Sequence, residues 1–280
     1  MDITLVFPHQ LFADHPAIQA GRTVALIEDP LLFGTDPQWP LRMHHQRRLL
    51  HRASMTVYAE QLQGRGFNVI HQRHDAAPDT QGHLQLLHSA GYRHVHLVDL
   101  VDHWLERRLN AFAERVGLRV SVLPTPMLLT PADVLEQHFG TGKKPLMAKF
   151  YEMQRTRLGV LMDAEGGPIG GRWSFDADNR KKLPKGISVP PIPVATPSTV
   201  VNTSRQQLAQ ENLPGVGKLD GFHYPIDHKE ASRWLDNFLD ERLVQFGAYE
   251  DAISTQHQVM WHGVLTPMLN IGLLTPQQVL

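Results

Sequence analysis

The strongest constraint on the fold lies in residues 1–123, where short apolar runs alternate with longer segments of helical pattern. The apolar runs are Ile3–Phe7, Thr23–Glu28, Phe67–Gln72, Arg93–Asp99 and Leu118–Leu123. Between them, Leu41–Leu62 carries Leu49, Leu50, Ala53, Val57 and Leu62 at helical spacing, and Gln81–Ser89 and Trp104–Val116 read as further helices. Gly64, Gly66, Gly91 and Gly117 punctuate the boundaries. Strands that alternate with helices call for a parallel sheet covered on both faces, a Rossmann-like α/β arrangement. Ligands of such sheets bind beyond the carboxyl ends of the strands. The places to inspect are therefore Phe7–Phe12, Glu28–Asp29 and the segment after Val98. No GxGxxG follows the first run, so a standard dinucleotide site is unsupported.

After Thr125 the character changes. Pro131–His138 and Met147–Met162 read as helices, and Leu183–Arg205, with five prolines and no acid, reads as an extended linker. Helical pattern returns over Asp227–Phe246, Tyr249–His257 and Val259–Ile271, with a last start at Pro276. The expected organisation is an α/β domain over 1–130, a helical connector and Pro-rich linker over 131–215, and the start of an all-helical domain over 216–280.

Composition narrows the function. A net charge of −1 gives no global attraction to nucleic acid or anionic lipid. The absence of cysteine removes disulfides, thiolate metal sites and thiol nucleophiles from these residues. No apolar run approaches a membrane span and no signal peptide opens the chain, so a cytoplasmic location is expected. The 17 histidines are scattered; His94 and His96 would share a strand face, but no metal site is expected.

Three blocks carry a resemblance to a known family. Gly170-Gly171-Arg172-Trp173-Ser174-Phe175-Asp176, with Asn179-Arg180-Lys181-Lys182-Leu183-Pro184, resembles the signature of iron–sulfur bacterial cryptochromes and photolyases, the photolyase-related proteins. Phe7-Pro8-His9-Gln10-Leu11 is similar to that family's strand-end Asp-Gln-Leu, and Met43–Arg48 to its His-His-Lys-rich helix. Tyr249, followed by His262-Gly263-Val264-Leu265-Thr266-Pro267 and Asn270, resembles the flavin phosphate-binding pattern of a tyrosine and then Thr-Ser-x-Leu-Ser-Pro. Thr266-Pro267 also reads as a plain helix cap and first-turn pair.

The resemblance implies a light-dependent DNA photolyase in which reduced FAD donates an electron to a pyrimidine dimer in damaged DNA. A cryptochrome photoreceptor without repair, or a segment without activity of its own, are the alternatives. It implies FAD against Tyr249, His262, Gly263, Leu265, Thr266 and Asn270 of an all-helical flavin-binding domain. It also implies an antenna chromophore, a ribityl-lumazine in characterised relatives, against His9, Gln10, Leu11, Glu28, His44 and Arg48. His9 stands where the family carries an acid, and Pro30–Pro40 holds an insertion where another carboxylate is expected; the bland reading of His9-Gln10 is a loop capping the sheet edge. The cysteines of the iron–sulfur cluster, most flavin contacts and the lesion pocket are expected beyond position 280. The chain is accordingly expected to hold FAD weakly and to leave apolar helix faces near Leu280, covered by the chain itself, by a further C-terminal segment or by a neighbouring molecule. Catalytic residues are not assigned. Lys143-Lys144 and Lys181-Lys182 are either phosphate contacts or solvated surface charge.

Overall fold

The computed structural model describes residues 1–140, 142 and 144–280; Lys143 of the first lysine pair lies outside them. By compactness the chain divides into one unit of residues 1–127, 193–234 and 265–275, and a second of residues 128–192, 235–264 and 276–280.

The first unit is built on a five-stranded, wholly parallel sheet. In chain order its elements are β1 (Asp2–Val6), β2 (Thr23–Ile27), α1 (Pro30–Phe33), α2 (His45–Gly64), β3 (Val69–Gln72), α3 (Thr80–Ser89), β4 (His94–Val98), α4 (His103–Val116) and β5 (Arg119–Leu123). The sheet order is β3-β2-β1-β4-β5, the Rossmann-like α/β architecture expected. Both faces are covered, which is why β1 and β2 are nearly continuous apolar runs. Ile3, Leu5, Ala25, Ile27, Val95 and Leu97 pack with Leu84 and Leu87 of α3. Leu105, Leu109 and Phe112 join them from one stripe of α4. Asp79 and Asp102 cap the two helices, their carboxylates accepting from Gly82 N at 2.8 Å and from Leu105 N at 2.9 Å.

Helix α2 holds its place through two buried arginines. The Arg52 guanidinium, fully buried, donates to both oxygens of buried Glu28 at 2.8 and 2.9 Å. It also meets Glu211 at 2.7 Å. Glu211 closes α7 (Thr199–Glu211), which lies on α2 through Val201, Ser204 and Leu208. The expected linker thus ends earlier than Arg205. After Pro197, the last proline of the run, Ser198 caps a helix by accepting from Val200 N at 3.2 Å.

The second unit holds α5 (Ala132–Phe139), α6 (Met147–Leu158), a short turn at Asp176–Asp178, the C-terminal half of α8 (His228–Glu241), α9 (Leu243–Tyr249) and α11 (Pro276–Val279). Buried Arg155 organises α6 and the loop after it, donating to Leu161 O and lying over the rings of Tyr151 and Trp173. Three expected helices differ, those over Asp227–Phe246, Tyr249–His257 and Val259–Ile271. Asp227–Phe246 breaks at Arg242, whose buried guanidinium is taken by the Met260 and Pro191 carbonyls. Residues 250–265 form no helix: Ser254 Oγ turns the chain by accepting from Gln256 N and His257 N, and Met260 and Val264 stand at φ 50°.

Helix resumes as α10 (Thr266–Ile271), in the first unit. Here the chain itself covers the apolar faces: Met268, Ile271, Leu273 and Leu274 are buried. Leu11 N donates to Ile271 O at 2.9 Å. At Gly272, with φ 81°, a Cβ would stand 2.9 Å from Phe12, so only glycine allows this approach. No helix among the described residues is long and apolar enough to cross a membrane.

Removing one partner of a buried ion pair leaves the other charge uncompensated, at a cost of about 3–5 kcal/mol. We expect Arg52→Leu to lose stability of this order in urea denaturation. Glu211→Gln, at a partly exposed carboxylate, should cost much less. Equal effects would contradict the role given to Glu28.

Candidate functional site

The sheet order reverses between β1 and β4, and the crevice beyond their carboxyl ends is where an open α/β sheet binds ligands. A cavity of about 640 Å³ opens there. His9, following β1, and Val101 and Asp102, following β4, line it, with Val101 half exposed. One wall is the face of the first turns of α2 that bears His44, Arg47, Leu50 and His51; Leu32 stands beside it. The other side is Tyr224 and the face of α10 bearing Thr266, Asn270 and Ile271.

Local structure fixes these groups. His9 Nε2 lies 2.8 Å from Leu100 O, so that nitrogen carries the proton and Nδ1 is left as an acceptor. Nδ1 is buried and has no hydrogen-bond partner. Burial lowers the His9 pKa, so the ring is neutral. His44 caps α2, its Nδ1 accepting from Gln46 N at 3.2 Å, and its ring lies against the backbone of Gly217. Arg47 Nε donates to His51 Nε2 at 3.3 Å. Burial pushes the His51 pKa down to about 3, and the Arg47 charge adds to this. Val101, a β-branched residue, stands at φ 49° with its N–H on Asp99 Oδ1, a strained backbone of the kind that collects at binding sites.

Of the residues expected at the antenna site, His9 and His44 line this cavity. Gln10 is buried behind it, donating to Val98 O and Asp99 O at 3.1 Å. Leu11 accepts from His228 through its carbonyl. Glu28 is engaged by Arg52, and Arg48 donates to Phe33 O at 2.7 Å and Pro214 O at 2.6 Å. The residues expected at flavin divide between the units. Thr266 and Asn270 line the cavity with His9 and His44, while Leu265 occupies the cap position of α10, without a side-chain cap. Tyr249, His262 and Gly263 belong to the second unit, where the Tyr249 ring stacks on Trp261 at 4.8 Å and His262 meets the edge of Phe246. Arg47, His51, Val101, Asp102 and Tyr224 were not singled out from sequence. The spacing of His44, Arg47 and His51 marks one helical face, a signal that was there to be read.

Lys181 and Lys182 are exposed. Lys144 is exposed too.

His51, His15 and His83 have folded pKa values pushed down by burial to about 3, 4 and 4, below the ordinary histidine value. Their stabilising contribution is complete above about pH 6.5 and is lost as pH falls toward 4, because only the unfolded chain takes up the protons. Buried Asp29, raised to about 7, acts in the opposite sense, favouring the folded state below pH 7. Urea midpoints should fall between pH 6.5 and 4.5. His51→Gln should flatten the slope near pH 5 by up to about 1.4 kcal/mol per pH unit, one proton's share; an unchanged slope would contradict a buried, neutral His51.

The profile of the "Deoxyribodipyrimidine photo-lyase-related protein" family matches residues 4–224. A (6-4) photolyase of Agrobacterium fabrum is 28% identical over 238 residues, covering 82% of this chain. The chain spans 46% of that photolyase's length. An uncharacterised protein of Acanthamoeba polyphaga mimivirus is 29% identical over 199 residues, covering 67% of this chain and 98% of its own. The crystal structure of a class III photolyase from Agrobacterium tumefaciens superposes with a TM-score of 0.53 at 16% identity, over 99% of this chain and 52% of that one, a likeness of fold. With the profile covering well over half of the sequence, this chain belongs to the deoxyribodipyrimidine photo-lyase-related protein family.

Proposed function

We propose that the chain serves light-driven flavin chemistry of the photolyase type, and that the cavity between β1 and β4 receives a heteroaromatic chromophore. The observation that carries this reading is the presence of His9, whose buried Nδ1 has no hydrogen-bond partner, in the lining of a 640 Å³ cavity. The pyrimidinedione ring common to lumazines and flavins offers one N–H between two carbonyls. His9 Nδ1 suits the N–H, Arg47 and Asn270 suit the carbonyls, and Leu50 and Ile271 suit the ring faces. When bound, such a group supplies light absorption, and a flavin also supplies an electron to a pyrimidine dimer. The chain's own residues orient the ring and exclude water from it. The buried neutral His51 holds the Arg47 side chain along one wall. Tyr249, His262 and Gly263 of the second unit are proposed to serve FAD, with repair of damaged DNA as the activity and a cytoplasmic setting. Any iron–sulfur cluster takes no cysteine from these residues.

Binding of ribityl-lumazine and of FAD to the purified chain, followed by fluorescence anisotropy, tests the cavity and separates the two ligands. Val101 is half exposed at the rim, so Val101→Trp narrows the cavity at little cost to the core. We expect affinity for at least one of the two to fall by about tenfold or more, the equivalent of about 1.4 kcal/mol. No binding of either, or equal binding by both proteins, would overturn the assignment.

A further inference from the structure

A second group of side chains lies at the other end of the sheet, where the strands begin. Asp2 opens β1 and His94 opens β4, and the parallel register sets these two residues side by side. His96, two residues along β4, returns to the same face. The two imidazole rings stand 4.0 Å apart between centroids. His94 Nδ1 lies 3.2 Å from Asp2 Oδ2, and His96 Nε2 lies 2.9 Å from the same oxygen. One donor atom from each of the three residues lies within 4.8 Å of the other two.

We infer that Asp2, His94 and His96 form a surface site for a divalent cation of the imidazole-favouring kind, zinc above all, that cross-links β1 to β4. Two imidazoles and one carboxylate are a donor set for zinc, nickel or copper; magnesium and calcium require oxygen ligands. The spacing suits it. Zinc–nitrogen and zinc–oxygen bonds of about 2.0–2.1 Å place neighbouring ligands of a tetrahedron roughly 3.3 Å apart, close to the 3.2 and 2.9 Å found. A supporting shell is in place as well. His94 Nε2 stands 2.8 Å from Ser121 Oγ on β5, which turns Nδ1 toward Asp2 and offers an acceptor for the Nε2 proton when Nδ1 binds an ion. His94 and His96 are largely buried and already oriented, while Asp2 is half exposed, so an ion reaches the site from solvent and keeps water at its remaining positions. Arg119, whose charge reaches Asp2, is the opposing influence. The site reverses the expectation that the histidines serve no metal. It is independent of the chromophore cavity, because it uses the amino ends of β1 and β4 and the cavity uses their carboxyl ends.

The test is titration of the tag-free chain, cleared of metal with a chelator, with zinc chloride by calorimetry and with cobalt(II) chloride by visible absorption. One equivalent should bind, cobalt should show the intense visible bands of tetrahedral coordination, and zinc should raise the Tm as ligand linkage requires. The double variant H94Q/H96Q should lose at least tenfold in zinc affinity, and Ser121→Ala a smaller part, through loss of orientation. Asp2→Asn, at an exposed side chain that leaves the strands intact, should also weaken zinc. Absence of zinc binding by the wild-type chain, undiminished binding by the folded double variant or by Asp2→Asn, or equal binding of magnesium would overturn the proposal.

Discussion

The arrangement of the first unit depends on the buried pair of Arg52 with Glu28. Two full charges at zero exposure persist because each satisfies the other in a two-bonded fork, with Glu211 completing the guanidinium and His71 and Arg73 also beside the Glu28 carboxylate. The pair joins the end of β2 to the middle of α2, and Glu211 brings the end of α7 to the same point. Arg48, one turn earlier, fastens α2 to the carbonyls of Phe33 and Pro214. With its inner face fixed in this way, α2 turns His44, Arg47, Leu50 and His51 toward the crevice at the switch point. The network therefore sets one wall of the cavity.

The sequence revealed the parallel sheet almost element by element, because strands buried on both faces are unbroken apolar runs and the glycines between them mark turns. The strand-end rule also placed the cavity, at His9 and after Val98. What the sequence hid is of two kinds. Helix α7 follows a proline-rich run, and its helical character shows only in the cap at Ser198 and in packing on α2. The break at Arg242 comes from a side chain recruited to distant carbonyls, a tertiary effect that periodicity does not carry, whereas the break over 250–265 includes a local turn in which Ser254 Oγ accepts from the backbone. Within the site, resemblance selected His9 and His44 but also Glu28 and Arg48, whose charges the fold uses internally.

Thr266 and Asn270 join the same cavity as His9 and His44, although the resemblance suggested separate flavin and antenna groups. The reason is the close approach of Gly272 to Phe12, with the backbone bond from Leu11 to Ile271, which lays α10 across the end of the sheet. A single concave site thus draws on residues some 260 positions apart in sequence, with His9 held by the Leu100 carbonyl and Arg47 by the His51 ring.

The most direct measurement is the map of amide and imidazole NMR shifts of the isotope-labelled chain on addition of ribityl-lumazine. The account predicts saturable changes concentrated at His9, Arg47, His51, Val101 and Asn270, with the His9 Nδ1 resonance moving as it gains a hydrogen bond. Changes confined to the second unit, around Tyr151 and Trp173, or no saturable change at all, would contradict the claim that the switch-point cavity is the chromophore site.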